Sequence, residues 1–322
     1  MNARVGIVRQ ALGGWLDFWF TESSPFTLAL MRMGTGILLL YNLLIRSYDL
    51  EALYATGSLG SSVALRGLDP MAFPFSLFAW SDSAVWLWAV HLAAIAVAVA
   101  FLLGVYPTGT GLLALVFHLS YGFRNPALML GLDGLLALAL FYLALAPCGR
   151  ALTVLPAASA PAPPAISRRE AALRPPRWGG LPLRALQIHP CVLYFISGLG
   201  RLNAAWLSGV VLWHPRLVEK GVPFAAETLQ EYPFLLTLVA DWLVLFELFY
   251  GVLIWLPRLR YPVLGVAAAT HLAVGILWGK LPFNLLMLVL NMAFIRPGHL
   301  EFLAEQVGRL LNIPARAADS RR

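Results

Sequence analysis

A cation at the end of an apolar run is the residue on which any chemistry of this chain turns. The stretch from Tyr194 to Gly209 reads Tyr-Phe-Ile-Ser-Gly-Leu-Gly-Arg-Leu-Asn-Ala-Ala-Trp-Leu-Ser-Gly and places Arg201 where a hydrophobic segment meets a polar one. The small residues before it, Ser197, Gly198 and Gly200, permit a helix or a ligand to approach the backbone closely. Trp206 and Gly209 read as an interfacial aromatic and a turn. A guanidinium is permanently charged and presents a planar fork of donors, so Arg201 is suited to binding a carboxylate, a phosphate or a quinol oxygen, and not to removing a proton. The plainer alternative is a solvated helix-end flank.

Other ionisable side chains sit inside apolar segments: Arg32, Asp133, Asp241, Glu247 and His271. A charge in hydrocarbon costs at least about 2.5 to 3.5 kcal/mol, so each needs a partner inside a helix bundle. Arg32 and Glu247 are the preferred ion pair, with snorkelling of Arg32 to the headgroups as the alternative. Asp133, close to Arg124 and Asn125, is expected to pair with Arg124 or Arg201. His271 needs at least one hydrogen-bond partner, and a lone histidine in such a helix more often bonds to another helix than to a metal. His91, His118, His189 and His214 lie on separate segments without a His-x-x-x-His spacing, so no metal site is expected. Cys148 and Cys191 read as boundary thiols and not as a disulfide or a metal pair. The chain has neither Gly-x-Ser-x-Gly nor a phosphate-binding loop nor a dinucleotide fingerprint.

The elements that must position these residues follow from composition. With 60% hydrophobic and 12% charged residues and a mean hydropathy of +0.75, the chain is far more apolar than a soluble protein, whose charged fraction is about 25%. It reads as an all-α, polytopic transmembrane bundle. Apolar segments run over 26–45, 84–106, 110–123, 127–147, 186–199, 232–256, 261–278 and 281–295, which gives about eight spans at about 20 residues for each crossing. Residues 1–25 are expected to lie along the interface as an amphipathic helix and not to act as a cleavable signal. Residues 26–297 form the transmembrane domain, interrupted by a flexible loop over 148–185 rich in proline and arginine, and 298–322 form a cytoplasmic tail. Arginines gather after the fourth span (Arg150, Arg168, Arg169, Arg174, Arg177, Arg184) and again at Arg258, Arg260, Arg296 and the C-terminal end. The positive-inside rule then puts both termini in the cytoplasm and Arg201 on the exterior face. The net charge of +7 is mainly this topological bias. It attracts anionic lipid and does not call for nucleic acid. Two exterior stretches, 47–83 and 201–232, are long and aromatic, and read as a cap over a site between helices or as an interfacial belt.

The motifs together resemble the HTTM (horizontally transferred transmembrane) domain family, which is related to the vitamin K-dependent gamma-glutamyl carboxylase. Tyr194, Ser197, Gly198, Leu202, Trp206 and Gly209 fit its central pattern, and the resemblance extends to Arg124-Asn125-Pro126, Gly131, Asp133-Gly134, Glu247, His271, Gly279 and Phe283-Asn284. It thus covers most of the chain. It implies a bacterial cytoplasmic-membrane protein with an exterior-facing polar pocket for a lipid-soluble, quinone-like or acidic ligand, lined by Arg201, Arg124, Asn125, Asp133, Trp206, His271 and Asn284, with a reduced quinone as cofactor. Arg201, Asp133 and His271 are the candidates for catalysis. Arg201 stands where the carboxylase has its catalytic lysine, and the functional histidine near Asn125 has Pro126 in its place. Arginine stays protonated, so the base role does not transfer to it; the chain's two lysines, Lys220 and Lys280, are the alternative amines. The competing reading is a non-catalytic membrane helper for maturation or export of, or immunity to, a secreted peptide.

Overall fold

The computed structural model describes residues 2–20, 24–55, 75–154, 180–212, 232 and 234–310, and every α-helix and 3-10 turn named below lies there, with no strand among the described residues. The chain forms two units, Met1–Arg184 with Ile295–Arg322, and Ala185–Phe294. The expected loops fall mostly in 56–74, 155–179 and 213–231. These stretches, with Trp213, His214, Arg216, Lys220 and the residues after 310, lie outside the described residues.

The first unit holds α1 (Asn2–Phe20), α2 (Pro25–Tyr48), α3 (Leu50–Tyr54), α4 (Ala84–Leu103), α5 (Pro107–Arg124) and α6 (Gly131–Leu145). Its helices pack in the order α2 on α4, α4 on α5, and α5 and α2 on α6. Local sequence sets their ends. Pro25 and Pro107 occupy the first helical position of α2 and α5, where a missing N–H costs nothing. Ser83 caps α4 by accepting from the amides of Val85 and Trp86. The other end of α4 closes in a Schellman turn: Gly104 has φ +75, its amide reaches Phe101 O at 3.0 Å, and the Val105 amide reaches Ala100 O at 2.9 Å. Gly36 lets α2 approach α4 closely, since a Cβ there would stand 3.0 Å from the Leu102 Cα. Leu28, Ala98, Phe101, Leu136 and Leu140 form the dry centre.

Arg32 lies wholly inside this unit. Its guanidinium donates to Cys148 O at 2.6 Å and Leu152 O at 2.5 Å, so it closes the turn that follows α6. The expected pairing with Glu247 is therefore replaced. Carbonyls left open after a helix C-terminus are a ready partner for a cation, and Glu247 is neutralised within the other unit.

The second unit holds α7 (Leu181–Gly200, from Ala185 on), α8 (Ala204–Leu207), α9 (Phe234–Leu253), α10 (Arg260–Leu277) and α11 (Leu281–Asn291), which a 3-10 turn, Met292–Phe294, extends. Gly198 meets Leu248 across α7 and α9, a Cβ there standing 3.0 Å from the Leu248 amide nitrogen. A final helix, α12 (Pro297–Leu310), packs back on α2, so the stretch read as a tail from 298 begins as a helix. Its Leu300 is buried, which is why the chain stays helical there.

Each of the eight apolar segments coincides with a helix. Three of them, α2, α4 and α9, are long and apolar enough to cross a membrane; α6 and α11 with its extension are shorter apolar helices. Large apolar side chains such as Ile37, Leu92, Leu238 and Phe249 are more than half exposed, as suits helices whose outer face meets lipid.

Candidate functional site

The second unit brings together Arg201, Trp206, Glu247, His271 and Asn284. Arg201 follows the last turn of α7, its amide bonded to Ser197 O and Gly198 O. Asn203 then caps α8, its side-chain oxygen accepting from the Trp206 amide at 3.2 Å. This short turn sets the Trp206 ring 4.4 Å from the Arg201 guanidinium carbon. Gly209 turns the chain with φ +75; a Cβ there would come within 2.6 Å of the Leu236 and Thr237 backbone, so the segment can lie against the start of α9 only with glycine. Leu212, Leu236, Ala240 and Leu243 bury one another beneath Trp206 and Trp278.

Glu247 reaches up from α9, and its Oε1 accepts from Arg201 Nη1 at 2.6 Å. The Ser197 side chain on α7 also faces this carboxylate. Side-chain exposure falls from 27% at Arg201 to 11% at Glu247, so the pair straddles the edge of the unit with the cation outermost.

Two helical turns deeper, Tyr194, Tyr250, His271, Asn284 and Asn291 form one hydrogen-bonded chain across four helices. Asn284 donates its amide to Lys280 O at 2.8 Å, which leaves its side-chain oxygen to accept from His271 Nδ1 at 2.7 Å. The imidazole is thereby held in one tautomer, with Nε2 as the acceptor for the Tyr194 hydroxyl at 2.5 Å. Asn291 donates to the same Tyr194 oxygen at 3.4 Å and accepts from the Tyr250 hydroxyl. Every one of these side chains has its polar atoms matched, as burial demands.

Asp133, Arg124 and Asn125 belong to the first unit and serve other partners. Asp133 pairs with Arg46 at 2.6 Å, accepts from Asn42 at 3.3 Å, and caps α6 by accepting from the Leu130 amide at 3.0 Å. The expected pairing of Asp133 with Arg124 or Arg201 is corrected by this geometry. Asn42 and Arg46 stand one turn apart on α2 and reach the carboxylate from the same face. Arg124 donates to Tyr54 O at 2.7 Å and Asn125 to Leu53 O at 2.8 Å, which ties α3 to the end of α5. His118 holds Asp133 O at 2.9 Å, and His91 bridges Ser47 and the Tyr121 hydroxyl. Arg46 lies 5.0 Å from the Tyr121 ring centre. Burial raises the Tyr54 phenol above its usual range, more than the neighbouring Arg46 lowers it.

The sequence reading passed over Arg46, Tyr121, Tyr250 and Asn291. Spacing held a signal for two of these: Asn42 with Arg46 at four residues, and Asn284 with Asn291 at seven, each put two polar groups on one helix face. Asp241, singled out for its depth, is half-buried on α9. Among the described residues, no three of histidine, cysteine, aspartate and glutamate gather as a metal would require. Compared with known proteins, the chain matches no family model, no curated protein and no solved structure.

Proposed function

We propose that the chain is an eight-span integral protein of a bacterial cytoplasmic membrane, of the HTTM kind, that binds a lipid-soluble acidic or quinone-like ligand at Arg201. Both termini lie in the cytoplasm, and Arg201 sits at the exterior face. The observation that carries this reading is the state of the Arg201 guanidinium. It is stacked on Trp206 and held by a single carboxylate oxygen of Glu247, yet its side chain keeps 27% exposure. A guanidinium has five N–H donors, so a fork oriented by an ion pair and a ring retains donors for a carboxylate or a quinol oxygen. His271 and Asn284 support the site from below through Tyr194, while Asp133, Arg124 and Asn125 stabilise the first unit. A reduced quinone would supply electrons at such a site; the residues that would hold it are Arg201 and Trp206. Carboxylation is not part of the proposal, because a guanidinium does not serve as the base that the carboxylase takes from lysine.

A second reading, a non-catalytic helper for maturation or export of, or immunity to, a secreted peptide, has one observation in its favour: Glu247 already neutralises Arg201. Extraction of the protein in mild detergent, followed by mass spectrometry of the bound lipids and quinones, separates the two. A specific quinone that disappears in Arg201→Ala and in Arg201→Lys supports an arginine-specific contact. Absence of any enriched lipid-soluble anion, with both variants folded, overturns the ligand site and leaves the helper. Quinol-dependent carboxylation appearing in Arg201→Lys would mark a carboxylase site disabled by one residue.

A further inference from the structure

Tyr194 has surroundings that a purely structural tyrosine does not need. Its hydroxyl points at a histidine nitrogen whose lone pair is fixed by Asn284, and Asn284 is fixed in turn by Lys280 O. Its ring lies against that of Tyr250 with centroids 4.0 Å apart. Both Tyr194 and His271 are buried, at 4% and 8% exposure. A phenol gives up an electron readily only if its proton has somewhere to go, and an unprotonated imidazole nitrogen in hydrogen-bond contact provides that place. The Asn284 oxygen accepts from His271 Nδ1–H whether the ring is neutral or cationic, so taking up a proton breaks no bond at that end.

Aromatic rings connect this pair to the outside of the unit. Along α9, Trp242, Phe246 and Tyr250 recur every four residues, a rise of about 12 Å over the three. Trp242 stacks on Phe246 at 6.4 Å, and Phe246 meets Tyr194 at 5.9 Å and Tyr250 at 5.8 Å. Trp242, an oxidisable indole, is 53% exposed on a helix long and apolar enough to cross a membrane. An oxidisable ring on the outer face thus leads through one stacked and then edge-to-face ring contacts to a buried phenol with its own base.

The geometry points to Tyr194 as a one-electron redox site that quenches oxygen-centred radicals of the lipid peroxyl class, with His271 as its proton acceptor and Trp242 as the point of entry. Tyr194 loses one electron and becomes a neutral phenoxyl radical. Its O–H bond breaks as an N–H bond forms at His271 Nε2, which leaves an imidazolium. The peroxyl radical gains the electron and becomes a peroxide anion, which takes a proton from interfacial water to give the lipid hydroperoxide and a hydroxide ion whose charge balances the imidazolium. This chemistry does not require a ligand at Arg201, so failure of the ligand site leaves it standing.

The test uses the full chain in liposomes of polyunsaturated phosphatidylcholine, with a lipid-soluble azo initiator in air as the radical source and freeze-quenched electron paramagnetic resonance as the readout. Wild type is expected to show a neutral tyrosyl signal that narrows when ring-deuterated tyrosine is incorporated and that forms more slowly in deuterium oxide. Tyr194→Phe should lose the signal, His271→Gln should lose most of its yield, and Trp242→Leu should slow its appearance. No tyrosyl signal in wild type, or the same signal in Tyr194→Phe, overturns the assignment. Full yield in His271→Gln overturns the proton acceptor, and unchanged formation in Trp242→Leu overturns the route along α9. The deuterium effect needs no variant, so its absence alone counts against the proton step even where a substitution disturbs folding.

Discussion

Arg201 and Glu247 are held together by a bond whose loss has unequal consequences for the two partners. Removing the cation strands a carboxylate that is 11% exposed, whereas removing the carboxylate leaves a guanidinium that is 27% exposed and still stacked on Trp206. Arg201→Ala is therefore expected to destabilise the protein by about 1–3 kcal/mol, less than a fully buried pair would lose. Glu247→Gln is expected to cost less. Thermal unfolding in detergent of both single variants and of Arg201→Met with Glu247→Leu measures this, with most of the loss recovered in the double variant. A second residue-scale prediction concerns Cys148, which follows α6 in the turn closed by Arg32 and whose thiol donates to Leu143 O at 3.2 Å. Burial pushes this thiol up to about 11, above an unfolded value of about 8.5. The folded chain then keeps its proton where the unfolded chain has released it. Its contribution is fully present below about pH 8.5 and is lost as the pH rises toward the folded value. Unfolding midpoints measured from pH 7 to pH 11 should fall more steeply for wild type than for Cys148→Ala. Identical slopes would mean that the thiol ionises as freely in the fold as outside it.

At the level of elements, the turn after α4 links a helix cap to a buried cation. Gly104 is in the left-handed region, and a Cβ on it would stand 2.7 Å from Arg32 Nη1. Gly104→Ala therefore meets two penalties: the backbone conformation itself, about 1–2 kcal/mol for an L residue, and displacement of Arg32 from the Cys148 and Leu152 carbonyls. A combined loss of about 2–4 kcal/mol is expected from these named mechanisms. Gly134→Ala, where a Cβ would meet nothing within 4 Å, serves as the control in the same unfolding assay. Similar behaviour of the two variants would show that the Arg32 contacts contribute little. The positions of such caps are legible in sequence, because Ser83, Gly104, Pro25 and Pro107 act on their own neighbours in the chain. The same holds for Gly209 as a turn, whereas the partner of Gly198's close approach, Leu248 on α9, is set by packing.

For the whole molecule, the arginine distribution predicts where the chain is open to attack. Protease added to inverted membrane vesicles should cut within the proline- and arginine-rich stretch read from the sequence over 148–185, and protease added outside intact cells should leave it whole. Cleavage from the outside alone would reverse the proposed orientation. What the amino acids determined by themselves is the helical class, the presence of a helix in each of the eight apolar segments, and the need of each buried charge for a partner, because hydropathy and helix caps are properties of contiguous residues. Which partner each charge takes was decided only by tertiary packing. Arg32 found carbonyls at the end of a neighbouring helix turn, Asp133 found Arg46, Glu247 found Arg201, and His271 found Tyr194 and Asn284. These choices depend on which helices become neighbours and on the rotation of each about its axis. Residues as far apart in the chain as Tyr194 and His271 meet for that reason alone, since local sequence sets the helix while the face it presents is settled by everything packed against it.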